Sequence, residues 1–317
     1  MKIDLHYEVK GDGEPLIFLH GNGENHEYFK AQISFFSKYY RTYAIDTRGH
    51  GLSPRGEAPF TIEQFADDLQ RFMSIHDIKK ANIVGFSDGG NIAMVFASKY
   101  PDLINKLVLN GANMYPKGMK LIVWLPIVLG YHITSLLSKC SVTARKNSEM
   151  LGLMVNHPNL TKRDLRKIKS PTLVIAGKND MIRQEHTEFI QSCIRDSKLV
   201  ILDGDHFIAN KRPEEFNRVV YEFLIDKEEV IRRIARMEQN LDVINEVLAS
   251  KDDAALASQQ IQAKIKELSE YYEGGNWIKD YERDERGEIP KNLKRGVLAQ
   301  DTLFDLFETI KERNRPK

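Results

Sequence analysis

Gly85-Phe86-Ser87-Asp88-Gly89-Gly90 is the stretch on which the reading of this chain turns. By itself a G-x-S-x-G pattern is a weak signal. Its flanks strengthen it: Ala81-Asn82-Ile83-Val84 reads as a buried strand, and Asn91-Ile92-Ala93-Met94-Val95-Phe96-Ala97 reads as a helix packed on a sheet. A serine at such a strand-to-helix turn sits in a strained conformation that lifts its hydroxyl above the sheet edge, and the flanking glycines let two backbones approach closely. The competing reading is a plain glycine-rich turn.

Outward from this turn, short apolar runs alternate with amphipathic stretches. The predicted strands are Ile3–Val9, Leu16–His20, Arg41–Asp46, Asn82–Phe86, Lys106–Leu109, Thr172–Ala176 and Lys198–Leu202. Helical patterns fall near Tyr28–Ser37, Thr61–His76, Gly89–Tyr100, Gln184–Asp196 and Pro213–Leu224. Near-continuous apolar strands separated by helices predict an α/β fold with a mostly parallel sheet covered on both faces. The first strand, followed by the Gly11-Asp12-Gly13 turn, is expected at an antiparallel edge.

One connection is too long for an ordinary loop. The segment from Ala112 to about Arg166 is read as a helical cap over the sheet edge. After Leu224 the pattern is helix only. Val230, Ile231, Ile234, Met237, Leu241, Ile244 and Leu248 recur at three-to-four spacing, as do Ile261, Ile265 and Leu268 beyond the Lys251-Asp252-Asp253 turn. An antiparallel helical hairpin is predicted there, with a third helix from about Gln300 to Glu312. The expected division is a domain over residues 1–225, with the cap at about 112–166, and a small all-α domain over 226–317.

A serine hydroxyl attacks nothing at neutral pH unless a neutral imidazole takes its proton and a carboxylate holds the ring's other nitrogen. In a parallel sheet of this kind the order along the chain is serine, acid, histidine. Asp180 follows one predicted strand, in Gly177-Lys178-Asn179-Asp180, and His206 follows another, in Gly204-Asp205-His206-Phe207. With Ser87 they all fall at the carboxyl ends of strands, the edge where such sheets place their sites. Asp203 and Asp205 are rival acids; Asp205 adjoins His206, and neighbouring side chains rarely face each other. Asp180 has its own reading without catalysis, as a turn residue or the cap of the helix near Gln184.

A tetrahedral oxyanion needs donors already in place. The backbone N–H of Asp88 is one candidate; Asn22, in His20-Gly21-Asn22-Gly23, is the other. His20 is expected to brace this loop, and His50 to shape the Asp46–Ser53 loop without taking part in catalysis. The Asp88 carboxylate has two readings: stabilisation by the helix dipole, or attraction of a substrate ammonium group. Trp124, Leu125 and Val128 of the apolar cap either line a substrate pocket or bury against the sheet and tail. His26, His76, His132, His157 and His186 lack metal-ligand spacing, and no phosphate loop or dinucleotide fingerprint occurs, so neither metal nor cofactor is expected.

Composition sets the remaining bounds. With 46 basic against 45 acidic residues and a net charge of +1, nothing argues for nucleic acid. Cys140 and Cys193 are far apart, which suits reduced thiols and a cytoplasmic location. Met1-Lys2-Ile3-Asp4-Leu5-His6 has no apolar signal core. Leu121–Leu137 is mostly apolar, yet it contains Pro126, Gly130 and His132 and is shorter than the roughly 20 residues a spanning helix needs.

Together these motifs resemble the α/β-hydrolase superfamily across about residues 1–225. Ser-Asp-Gly-Gly at 87–90, Gly-Ala-Asn at 111–113, Gly-Lys-Asn-Asp at 177–180 and Gly-Asp-His at 204–206 are most similar to the valacyclovirase (biphenyl hydrolase-like) branch, with carboxylesterases and monoacylglycerol lipases sharing the scaffold. The resemblance implies a serine esterase acting on small esters through an acyl-enzyme, including esters of amino acids. Thioester, lactone, amide or C–C cleavage by the same residues is the first alternative, and a non-catalytic binding module the second. The apolar cap departs from that branch. Tyr271-Tyr272, Asn276-Trp277 and Asp284-Glu285-Arg286 resemble a small bacterial helical domain of unknown function, which implies packing, docking within the chain or homo-oligomerisation.

Overall fold

The computed structural model describes residues 3–313. It divides into two compact units, Met1–Leu224 and Ile225–Lys317.

The first unit is built on seven strands: β1 (Tyr7–Lys10), β2 (Pro15–Leu19), β3 (Arg41–Ile45), β4 (Ala81–Phe86), β5 (Ile104–Asn110), β6 (Thr172–Gly177) and β7 (Ser197–Leu202). They lie in the order β1-β3-β2-β4-β5-β6-β7. Only β1 is antiparallel, pairing Tyr7 with Ile45 and Lys10 with Thr42 at the edge. It starts later than the apolar run at Ile3 suggests, because His6 is held instead by the loop after β3: its N–H donates to Ser53 Oγ at 2.8 Å. Every residue of β4 and β6 is buried, which explains why these strands read as continuous apolar runs and not as alternating ones.

Helices α1 (Lys30–Phe36), α2 (Ile62–Ile75) and α3 (Asp88–Lys99) precede the cap. Thr61 caps α2 by accepting the N–H of Gln64, and its buried side carries Ile62, Phe65, Leu69 and Phe72. Ten consecutive residues of α3, Asp88 to Ala97, are buried, so this helix runs through the middle of the molecule behind the serine turn. Gly89 makes that possible: a Cβ there would collide with the carbonyl of Leu19.

The cap consists of α4 (Leu121–Leu137), α5 (Val142–Asn156) and a short turn of helix at Lys162–Leu165. Pro126 sits inside α4 without ending it. Ile122, whose carbonyl loses its partner, is 82% exposed, so this part of the helix is open to solvent. No residue of α4 is buried. The expectation that its apolar residues either enclose a pocket or pack inward fails for Leu125, which is 53% exposed; Trp124 and Val128 are half-buried.

In the second unit, Lys227–Ser250 is capped by Asp226 and stops at Lys251, which adopts a left-handed conformation. Gln259–Glu273 and Thr302–Arg313 supply two more of the expected helices, with a further one at Asn276–Glu285 that the sequence pattern did not predict. Its inward positions are Trp277, Asp280 and Arg283, and the polar pair hides the apolar period. Asp280 is buried between Arg233 (2.7 Å), Arg283 (2.6 Å) and the Tyr271 hydroxyl (3.1 Å), a paired charge at the heart of a core of Ile234, Met237, Leu241, Ile244, Leu268 and Leu306.

Candidate active site

Ser87 adopts φ 53° and ψ −118°, a conformation uncommon outside glycine and maintained by its surroundings. Its N–H donates to Asn110 O on β5 at 2.8 Å, and its carbonyl accepts the first bond of α3 from Asn91 N at 3.0 Å. The hydroxyl is thereby presented at the carboxyl edge of β4.

Because β4, β5, β6 and β7 are neighbours in one parallel sheet, the segments leaving β6 and β7 end beside that serine. The structure brings Ser87, His206 and Asp180 into contact. Ser87 Oγ lies 3.0 Å from His206 Nε2, and His206 Nδ1 lies 2.7 Å from Asp180 Oδ1. His206 and Asp180 are buried. Asp180 Oδ1 also accepts the N–H of Ile182 at 2.9 Å, which fixes the carboxylate against the ring. With a proton on Nδ1 shared with Asp180, Nε2 is left to accept from the serine hydroxyl. The rival acids lie elsewhere: Asp205 accepts the N–H of Phe207 and pairs with Lys211, and Asp203 offers only its backbone carbonyl, to Arg212.

Gly111, at the end of β5, closes the site from behind. Its φ is +61°, and a Cβ would lie 2.8 Å from both Cε1 and Nδ1 of His206 and 3.3 Å from Asp180 Oδ2. The edge of the imidazole is therefore packed against bare backbone. Across the ring, Phe86 sits 4.8 Å from His206 and stacks on Tyr28 at 4.4 Å.

Asn22 and Asp88 are linked directly. Asn22 Nδ2 donates to Asp88 Oδ2 and to the carbonyl of Met150 in α5, both at 2.8 Å. The Asn91 amide donates to Asp88 Oδ1 at 3.0 Å and to Asn113 Oδ1 at 3.1 Å. Burial raises the Asp88 carboxyl above its ordinary range, and the two amide donors only partly offset that. The backbone N–H of Asp88 opens α3 and so has no acceptor within the helix. His20 is the brace expected of it: Nδ1 meets Gly21 O at 2.7 Å, Nε2 accepts the N–H of Thr47 at 3.1 Å, and burial pushes its pKa down to about 3. His50 contacts Thr47 and Arg48 in the same loop.

Three features escaped the sequence reading. Glu24 accepts the N–H of Gly21 at 3.0 Å, and burial raises its carboxyl to about 7, opposed by that bond and by the charge of His206. Its only sequence signal was proximity to Asn22 within the same turn. Arg55 grips Glu149 of α5 with two bonds, 2.9 and 2.7 Å, tying the cap to the loop after β3. His6 and His26 converge on Asp46, with Nδ1 atoms at 3.0 and 2.9 Å from its two oxygens and the three groups' ligand atoms within 4.8 Å of one another. Asp46 also accepts the N–H groups of His26 and Leu52, so this carboxylate organises the loop. No linear spacing foretells a cluster drawn from three separate segments.

A cavity beside Asp180, lined by Lys120, Lys178, Arg183, Gln184 and Thr187 among others, does not reach Ser87 or His206. It is not an acyl pocket. Among the described residues no helix is long and apolar enough to cross a membrane.

A parallel sheet with one antiparallel edge strand, a cap between β5 and β6, and a serine–imidazole–carboxylate chain at its carboxyl edge define the α/β-hydrolase fold, and the first unit has that fold. Residues 14–132 match the family described as alpha/beta hydrolase fold, and residues 75–216 the family described as Serine hydrolase (FSH1). The serine hydrolase BPHL of Mus musculus is 29% identical over 251 residues, covering 70% of this chain and 83% of its own. The AB hydrolase superfamily protein YisY of Bacillus subtilis (strain 168) is 28% identical over 256 residues, covering 70% of this chain and 95% of its own. Among solved structures, the enol-lactonase of Burkholderia xenovorans LB400 superposes with a TM-score of 0.60 at 23% identity, covering 70% of this chain and 96% of its own, a likeness of fold. Residues 234–314 match a domain of unknown function, DUF4298.

Proposed function

We propose that the chain hydrolyses small carboxylic esters through an acyl-enzyme, with Ser87 as nucleophile, His206 as general base and Asp180 as the acid that orients it. The observation that carries this reading is the unbroken contact chain from Ser87 Oγ through both nitrogens of His206 to Asp180. Ser87 Oγ attacks the substrate carbonyl carbon as its proton passes to His206 Nε2. The oxyanion is received by the backbone N–H groups of Asn22 and Asp88, each such donor contributing about 3 kcal/mol to the transition state. Collapse breaks the ester C–O bond, and His206 returns the proton to the departing alkoxide. Water then attacks the acyl-serine by the same route, releasing the acid and restoring the hydroxyl.

Among esters, we propose those of amino acids, on the position of Asp88. The Asp88 carboxylate is buried next to the nucleophile with amide donors on both oxygens, and among the described residues no lysine or arginine pairs with it. Burial raises its carboxyl above the ordinary range, so a substrate ammonium group placed beside it would favour the ionised form.

A fluorophosphonate probe tests the nucleophile, because only an activated serine reacts. The wild type should label and Ser87→Ala should not. Labelling that survives the substitution would show that another serine is responsible. Steady-state rates on p-nitrophenyl esters, amino-acid esters, lactones and amides decide the bond. Faster turnover of lactones or amides than of every ester would replace the ester assignment while leaving the triad in place.

A further inference from the structure

More than half of the exposed large apolar side chains among the described residues lie on the outer face of the cap. Leu121, Ile122, Leu125, Leu129, Ile133, Leu136 and Leu137 of α4 are between 49% and 82% exposed, and Val142, which opens α5, is 69% exposed. Ile122, Leu125, Leu129, Ile133 and Leu136 follow one another at steps of three and four residues, so they form a single stripe along a helix about 25 Å long. Such a stripe in water is costly, and soluble proteins seldom leave one uncovered.

Charge says what covers it. No aspartate or glutamate occurs between Asp102 and Glu149. Over the same span Lys117, Lys139, Arg145 and Lys146 are exposed and Lys120 is half-buried, so cations stand at both ends of the stripe. An apolar strip framed by lysine and arginine, in a segment that itself carries no acid, matches a lipid surface bearing negative head groups. Trp124 and Tyr131, half-buried on the same helix, are side-chain types that favour the boundary between acyl chains and water.

The inner side of α4 is already occupied. Gly130 lies against Leu151 of α5, and Gly152 of α5 lies against Tyr131. The hairpin is thus a rigid pair, and α5 is anchored over the active site through Met150 O to Asn22 and through Glu149 to Arg55. The stripe is free to enter a bilayer surface without breaking those ties.

We propose that the outer face of α4, with its flanking cations, docks the chain on anionic phospholipid bilayers, the helix lying in the plane of the interface. The surface is independent of the catalytic reading, because none of these side chains touches Ser87, His206 or Asp180.

The test uses the full chain and two readouts. Cys140, exposed at the turn after α4, accepts an environment-sensitive thiol dye, while Cys193 is buried and does not. Wild-type protein should float with phosphatidylcholine–phosphatidylglycerol vesicles and show a blue shift of the dye, both weakened by 0.5 M salt. Neutralising Lys139, Arg145 and Lys146 to Gln should weaken binding about a hundredfold, roughly fivefold for each cation lost. Ile122→Asp/Leu129→Asp/Leu136→Asp should abolish it with an unchanged melting temperature, since all three side chains are exposed. Ser87→Ala should bind like the wild type. The proposal is overturned if anionic vesicles fail to capture the wild type, if the triple-Asp variant binds equally, or if pure phosphatidylcholine is bound as tightly. Sedimentation showing a dimer that the triple-Asp variant dissolves, with no vesicle binding, would also overturn it and assign the stripe to a second copy of the chain.

Discussion

Replacing Gly111 by Ala should damage catalysis through a single methyl group. The added Cβ would lie 2.8 Å from Cε1 and Nδ1 of His206, whereas carbon atoms in ordinary contact stand about 3.5 Å apart or more. The ring must therefore retreat by about 0.7 Å. It is held at both ends, at 2.7 Å from Asp180 and 3.0 Å from Ser87, so a shift of that size stretches one bond or tilts both. A misplacement of about 1 Å at reacting groups costs about a hundredfold, so kcat should fall between about tenfold and a hundredfold, with KM little changed. Stability should fall separately by about 1–2 kcal/mol, because φ of +61° strains any residue with a Cβ. Steady-state hydrolysis of p-nitrophenyl acetate and thermal unfolding on the same samples check both numbers. A folded Gly111→Ala protein with wild-type kcat would refute the claim that the packing of this imidazole edge sets its catalytic position.

Other substitutions probe the surroundings of the triad. Glu24, raised to about 7 from 4.5, binds a proton in the folded state across a range where the unfolded chain has already released it; its own contribution to stability should thus fall as pH rises from about 4.5 to about 7, while His20, held neutral by burial, contributes in the opposite sense. Glu24→Gln removes that loss, and its stability relative to wild type should grow over the same window by on the order of 2 kcal/mol, the side chain being partly in water. A gap independent of pH in denaturant titrations would contradict this. Asp88→Asn should slow cleavage of amino-acid esters about tenfold or more relative to neutral esters of the same size; equal effects on the two would remove the ammonium-binding role. Asp68→Asn leaves Arg48, which is 1% exposed, without the carboxylate it contacts at 2.6 and 2.7 Å, and should cost about 3–5 kcal/mol. A change under 1 kcal/mol in urea unfolding would show that this buried pair is replaceable.

Much of the hydrolase unit was legible in the linear chain because its strands are buried on both faces. Ala81–Phe86 and Thr172–Gly177 announce themselves as apolar runs between helical periods, and the serine turn lies at the junction of two such patterns. Asp180 and His206 could be singled out because each follows a strand closely, and the fold brings them together. The helix at Asn276–Glu285 was missed for the opposite reason: its inward face carries Asp280 and Arg283, whose burial is stabilised by Arg233 and Tyr271 from other helices. A charge paired across the core is indistinguishable, in one dimension, from a charge in water. The cap misled in the reverse direction. Leu125 looked like a pocket residue by composition, yet it lies on the open side of α4.

The order of residues by itself determined which side chains are candidates for chemistry and that a parallel sheet would carry them, because strand burial and turn glycines are local properties written in local patterns. Only the tertiary structure decided who meets whom. The strand order β4-β5-β6-β7 sets Asp180 beside His206 and both beside Ser87, Gly111 fits under the imidazole, and Asn22 joins Asp88 to the cap. These are contacts between segments up to 128 positions apart. They exist because the sheet brings distant strand ends to one edge, a geometric fact that no window of sequence contains.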